Sequence, residues 1–217
     1  MTAPMKLCGV ILAAGASSRM GRDKALLPWP PAPGGNAEPA TGTLLDAAIQ
    51  SLKPHVHAVV VVGSGNAEKI APIVAAQGAH LAVNPAPERG QFSSLHVGLS
   101  EVRALGCNAA MIAPVDNVPL HVDSLQRLCT ALETAQARGY VAVIPQHAGR
   151  HGHPLLAGPA LVDAFLSAPI TTTARDVLRT YAKQIEYIEV PDPLLGIDMN
   201  TPQQYAVMTA AFSTQSR

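Results

Sequence analysis

The sequence predicts an α/β protein built on a doubly wound, mostly parallel sheet with helices on both faces. Three observations lead there. Short β-branched apolar runs alternate with longer segments of helical period along the chain. The first of these runs, residues 7–12, stops at small residues and glycine, as a buried strand does when it opens into a loop. Asn84 and Asp116 stand at the ends of later strand runs, where a parallel sheet forms its ligand crevice.

Taken in order, the loop after the first strand contains Gly15, Arg19, Gly21 and Lys24 among small residues. Small side chains let backbone N–H groups approach phosphate oxygens closely. A guanidinium adds a bidentate donor and an ammonium adds a point charge. This is not a Walker A loop, because five residues separate Gly15 from Gly21 and Arg22 follows. Residues 29–43, rich in proline and glycine, read as an exposed insertion within the domain.

Residues 44–52 have helical period, and 58–62 form a β-branched run expected to be covered on both faces. Gly63-Ser64-Gly65 imitates the start of a dinucleotide fingerprint. Glu68 stands where the third glycine belongs, and no acidic residue follows at the required distance. A tight strand-to-helix turn is expected there, with a helix over 67–77.

A short strand ends at Asn84, and Ser93 and Ser94 open an amphipathic helix through Leu105. Each serine reads either as an N-cap or as a ligand contact. Residues 109–115 are the next buried strand, 122–137 a helix and 141–144 another strand. A polar turn, 146–154, then holds His147, His151 and His153. Nothing nearby completes a tetrahedral metal set with them. Thr173 caps a helix over 174–183 carrying Arg175, a strand follows over 185–190, and Thr201-Pro202 starts the last helix, expected to run to about Phe212.

A chain of 217 residues, 48% hydrophobic, can bury one substantial core, so one domain over 1–217 is expected. The zero formal net charge lacks the footprint of a nucleic-acid binder. No leader and no run of about 18 apolar residues occurs, which points to a cytoplasmic protein with no membrane partner. Cys8, Cys107 and Cys129 are odd in number and widely spaced, and read as reduced thiols.

The run Leu12-Ala13-Ala14-Gly15 with Ser17, Arg19, Met20, Gly21, Asp23 and Lys24 resembles the signature loop of the molybdenum cofactor cytidylyltransferases and the related molybdopterin-guanine-dinucleotide synthases. Asn84 with Ser93-Ser94-Leu95, Gly152-His153-Pro154, Ala174-Arg175 and Asp198 before Thr201-Pro202 extend the resemblance over nearly the whole chain. It implies a nucleotide-diphospho-sugar-transferase-like, Rossmann-type fold. It also implies transfer of CMP from CTP to the terminal phosphate of molybdopterin, with Mg²⁺ or alternatively Mn²⁺ as cofactor. By that likeness Gly15, Arg19 and Lys24 hold the triphosphate and Asn84 and Ser94 the nucleoside, with Leu12, Ala13, Ala14, Ser93 and Asp116 also binding the nucleotide. Asp116 and Asp198 hold the metal, with Arg19 and Lys24 acting beside them in catalysis. His153 and Arg175 face the acceptor, and a transient contact with a molybdoenzyme or its chaperone is implied.

The guanylyl branch commonly has Leu-Ala-Gly-Gly where this chain has Leu12-Ala13-Ala14-Gly15, which favours a pyrimidine nucleotide. Three departures are visible: Asp116-Asn117-Val118-Pro119 in place of Asp-Gln-Pro, the long insertion after Lys24, and Ala157 in place of an aromatic residue. They bear on the acceptor rather than on phosphate binding. Two other readings stay open: a pyrimidine nucleotidyltransferase acting on a sugar or polyol phosphate, and a non-catalytic nucleotide- or cofactor-binding module. An NAD-linked dehydrogenase would rest on Gly63 and Gly65 alone.

Overall fold

The computed structural model describes residues 4–15, 17, 19–29, 42–193, 195–197 and 199–215, the side chains of 209–215 excepted. One eight-stranded sheet runs through it in the order β3-β2-β1-β4-β7-β5-β6, with β8 beside β5. The strands are β1 (Leu7–Leu12), β2 (Val59–Gly63), β3 (His80–Val83), β4 (Ala109–Pro114), β5 (Ala142–His147), β6 (Arg150–His151), β7 (Leu155–Ala157) and β8 (Ile185–Glu189). Pairings β1–β2, β1–β4, β2–β3 and β5–β8 are parallel. Only β7, against β4 and β5, and the β5–β6 hairpin are antiparallel. The mostly parallel architecture is therefore present.

The helices are α1 (Leu44–Leu52), α2 (Ala67–Ala76), α3 (Gln91–Ala104), α4 (Val122–Ala137), α5 (Pro159–Ser167), α6 (Ala174–Thr180) and α7 (Pro202–Gln215). Alternation along each buried strand sends successive side chains to opposite faces. Val10, Val60, Val62 and Ile112 pack into one cluster with Leu95 and Leu99 of α3 and Phe165 of α5. Ile11, Val59, Val61 and Met111 pack into another with Ile49 of α1, Ile70 of α2 and Leu128 of α4. Both faces are covered, which is why these strands are apolar throughout.

A third, smaller cluster fixes the site. Met20, Leu27, Trp29 and Leu44 pack with Val118, Met199 and Met208. Tyr205 on α7 donates its hydroxyl to the Pro28 carbonyl. The loop after β1 and the segment before α7 are thus held together, although Met20 and Asn200 are 180 positions apart.

Several expectations are corrected. Trp29, taken as the start of an exposed insertion, is 2% exposed within that third cluster. The rest of the insertion, 30–41, lies outside the described residues, and Gly42 and Thr43 close it by pairing with Trp29 and Pro28. Cys8 and Cys107 are not thiols. They form a disulfide with Cα atoms 6.1 Å apart, because β1 and β4 are neighbours and Cys107 lies just before β4. The polar turn is a hairpin in which Ala148 and Gly149 take positive φ. Residues 155–170, to which the sequence pattern assigns nothing, hold β7 and α5. A three-residue strand buried on both sides has no alternation to reveal it.

Candidate active site

Strands β1 to β4 all end at the same edge of the sheet. The connections from β1 run outward through β2 and β3, then return to β4 on the other side, so the order switches between β1 and β4. Ligands bind at such a switch point. Leu12 pairs with Pro114 there, and the Val115 N–H continues to the Leu12 carbonyl. Asp116 follows directly.

The loop after β1 folds back on itself. Ser17 has a left-handed backbone, and its carbonyl accepts from the N–H groups of Met20 and Gly21. Gly21 has φ +70, which only glycine adopts without penalty. The Ser17 hydroxyl accepts from the Lys24 N–H at 3.2 Å. Asp23 caps the short 3-10 turn Lys24–Leu26 by accepting from the Ala25 N–H. These bonds set where the Lys24 side chain leaves the loop.

The Lys24 ammonium donates to Asp116 Oδ2 at 2.6 Å and to Asn200 Oδ1 at 2.8 Å. Both members of the ion pair are largely buried, with side-chain exposures of 13% and 18%. Arg19, itself exposed, reaches the same Asn200 oxygen at 3.2 Å. The Met199 N–H donates to the Asp116 carbonyl at 3.0 Å. Two cationic side chains and one carboxylate therefore converge where the loop meets the C-terminal segment.

Above this pair lies a cleft of about 760 Å³, within the usual range for small-molecule sites. Leu12, Ala13, Ala14, Gly15, Lys24, Ser94 and Asp116 line it, as do Ser17 and Asp23. An added methyl at Gly15 would meet no protein atom within 4 Å, so the space beside it is open. Asn84 and Ser93 sit behind the wall rather than in it. The Asn84 amide donates to Ser93 Oγ at 2.9 Å and Ser94 Oγ at 3.0 Å, and its carbonyl accepts from the Ala86 N–H. Neither serine caps α3; Gly90, at φ +91, occupies that position.

His153 and Arg175 are not brought to this cleft. His153 lines a small void with Asn117, Val118 and Leu125, while Arg175 is exposed on the first turn of α6. Asp198 and Ser18 lie outside the described residues. The residues that sequence reasoning passed over are Asn200, Ser64, Asn66, Lys69 and Gln91. The last four line the cleft. Asn200 lies just before Thr201, but its partner Lys24 is 176 positions away.

Among the described residues no group of three or more His, Cys, Asp or Glu side chains is placed to hold a metal. That does not oppose Mg²⁺, a hard ion that takes one or two carboxylates together with substrate phosphates. The fit is supported by the Lys24 ammonium, a cation on which the oxygens of Asp116 and Asn200 already converge. The donor set is hard oxygen throughout.

A family model described as MobA-like NTP transferase domain matches residues 9–185. A molybdenum cofactor guanylyltransferase from Rhodobacter capsulatus is 27% identical over 93% of this chain and 94% of its own. A molybdenum cofactor cytidylyltransferase from Escherichia coli K12 is 26% identical over 90% and 92%. A nicotine blue oxidoreductase from Paenarthrobacter nicotinovorans is 30% identical over 90% and 93%. Among solved structures, Rv0371c from Mycobacterium tuberculosis H37Rv superposes with a TM-score of 0.75 at 20% identity, covering 95% of this chain and 99% of that one. Its manganese complex superposes at 0.71 and 18% identity, covering 95% and 100%.

Proposed function

The chain belongs to the MobA-like NTP transferase family, and we propose that it moves CMP from CTP to the terminal phosphate of molybdopterin. The observation that carries this reading is the Lys24 ammonium clasped by Asp116 and Asn200 at the base of a nucleotide-sized cleft. In the reaction an acceptor phosphate oxygen forms a bond to the α-phosphorus of CTP. The bond from that phosphorus to the bridging oxygen breaks, and pyrophosphate leaves with its electron pair. Positioning and charge neutralisation supply most of the catalysis in such transfers.

The loop backbone from Ala13 to Gly15 receives the triphosphate, and Lys24 and Arg19 neutralise its negative charge. A phosphate monoester, with a second pKa of about 6, is mostly ionised at neutral pH, so no general base is called for. Asp116, with Asp198 by family likeness, would hold Mg²⁺ or Mn²⁺, and the bound ion would supply further positive charge to the phosphates. Ser94 faces the nucleoside, with Asn84 and Ser93 behind it. His153 and Arg175 keep their acceptor-side assignment on resemblance alone.

Relatives at nearly equal identity use cytidylyl and guanylyl groups by name. Ala14 favours the pyrimidine. The guanylyl branch commonly carries glycine at this position, where Ala14 packs in the same apolar cluster as Phe92 and Leu95. A sugar or polyol phosphate is the alternative acceptor. The oxidoreductase relative raises a second chemistry, and the β2–α2 turn does line the cleft, but its backbone is already engaged. The Ser64 N–H there already donates to Asn66 Oδ1 and is not free for a dinucleotide pyrophosphate.

The test is pyrophosphate release with each of the four NTPs against molybdopterin and against sugar phosphates, with NADH oxidation measured in parallel. CTP with molybdopterin should turn over, and Asp116→Ala or Asp198→Ala should abolish it. Faster turnover of GTP would overturn the cytidylyl assignment, and full activity in both variants would overturn the metal assignment.

A further inference from the structure

The turn between β2 and α2 has no part in the chemistry above, yet its side chains are bonded to the loop that carries it. The Asn66 amide nitrogen donates to the Ala13 carbonyl at 3.0 Å and to Asp23 Oδ2 at 2.7 Å. Its carbonyl oxygen accepts from the Ser64 N–H at 3.0 Å. Ser64 Oγ donates to the Ala14 carbonyl at 3.0 Å. One amide therefore grips the loop where it leaves β1 and again one residue before Lys24.

We propose that Asn66 is a positioning residue for nucleotide binding, a clamp that fixes the distance between the backbone of Ala13 to Gly15 and the Lys24 ammonium. This rests on the reading that the loop holds a triphosphate. Phosphate groups bridging those two points bind best when the span is set beforehand, because ordering it on binding costs affinity. The side-chain type is dictated by the bonds. Two donors and one acceptor are needed, and among short side chains only asparagine offers them. An aspartate would set a second carboxylate against Asp23 and oxygen against the Ala13 carbonyl. Asp23 in turn has both oxygens engaged, Oδ1 by the Ala25 N–H and Oδ2 by Asn66, so a negative charge close to the phosphate loop is compensated.

Steady-state kinetics with CTP and tryptic cleavage of the nucleotide-free protein test the clamp together. Loss of one or two partly buried hydrogen bonds should raise KM for CTP about tenfold in Asn66→Ala, with kcat within about threefold. Cleavage after Arg19 and Arg22 should accelerate in the same variant, and Asn66→Asp should be worse on both measures. Combining Asn66→Asp with Asp23→Asn exchanges donor and acceptor across the same contact, and should recover at least half of the Asn66→Asp loss. A residue serving stability alone would lower Tm and leave KM unmoved.

Unchanged KM and unchanged cleavage in a folded Asn66→Ala protein overturn the clamp, as does an exchange that recovers nothing. If Asn66→Asp does not fold, Asn66→Ala and Asn66→Ser decide. If the unaltered protein turns over no nucleotide, the reaction assignment fails instead. The cleavage rates still decide the clamp, equal rates counting against it.

Discussion

Cys129 on α4 is the free cysteine among the described residues. Burial pushes its thiol up to about 11, and the neighbouring Glu133 adds to the shift. The thiolate is the reactive form, so at pH 8 only about one molecule in a thousand carries it. Alkylation by iodoacetamide at pH 8 should therefore be at least ~100-fold slower in the folded protein than in urea, as read by mass spectrometry. Comparable rates would mean that the thiol is not held in that environment. The same residue shows what a sequence conceals at this scale. Cys8, Cys107 and Cys129 are all widely spaced in the sequence, and only the adjacency of β1 and β4 separates the bonded pair from the single thiol.

Among elements, α3 depends on how closely it lies on the sheet. A methyl added at Gly98 would stand 2.7 Å from Val10 Cγ1 and 2.9 Å from Val62 Cγ2. Such overpacking costs about 1–3 kcal/mol, more than the ~1 kcal/mol that alanine gains over glycine in a helix. Gly98→Ala should lower the urea midpoint, and Val62→Ala in the same chain should restore part of it. A rise in stability would show that α3 can lift away without penalty.

Helix α1 carries a capping box. The Thr43 hydroxyl accepts from the Asp46 N–H, and the Asp46 carboxylate accepts from the Thr43 N–H. Burial alone would raise the Asp46 pKa, but the bonds from Thr43 and Gln77 outweigh it and hold the carboxyl below its ordinary value of 3.8. A lowered pKa in the folded state contributes stability above the ordinary value, and that contribution is lost as pH falls through the folded one. Urea midpoints measured from pH 6 down to pH 2.5 should therefore show the protein and Asp46→Asn converging at the acid end. Parallel curves would remove Asp46 from the acid response.

At the scale of the whole molecule, the site exists because two distant segments meet. Met20, Leu27 and Trp29 from the β1 loop and Met199 and Met208 from the C-terminal segment share one apolar cluster. That cluster brings Asn200 to Lys24 and the Met199 N–H to Asp116. Among the described residues no helix is long and apolar enough to cross a membrane.

The parallel core was legible because β1, β2 and β4 are buried on both faces and leave continuous apolar runs. The helices α1 and α4 were legible because their periodicity is local. Local signals failed at β7, whose three residues are all buried. At Ser93 and Ser94 they left a cap and a ligand contact both open, and the fold removes the cap, because Gly90 holds that position and Asn84 donates to both hydroxyls.

From the sequence alone came the strand and helix alternation, the anion-suited loop with Arg19 and Lys24, and the carboxylate of Asp116 after β4, because each depends on neighbours within a few positions. The folded chain alone decided that Lys24 is held by Asp116 and Asn200, that Asn66 ties both ends of the loop, that Cys8 meets Cys107, and that His153 and Arg175 lie away from the cleft. Those pairings join residues 43 to 176 positions apart, and only burial of apolar faces against the sheet selects which of them come within bonding distance.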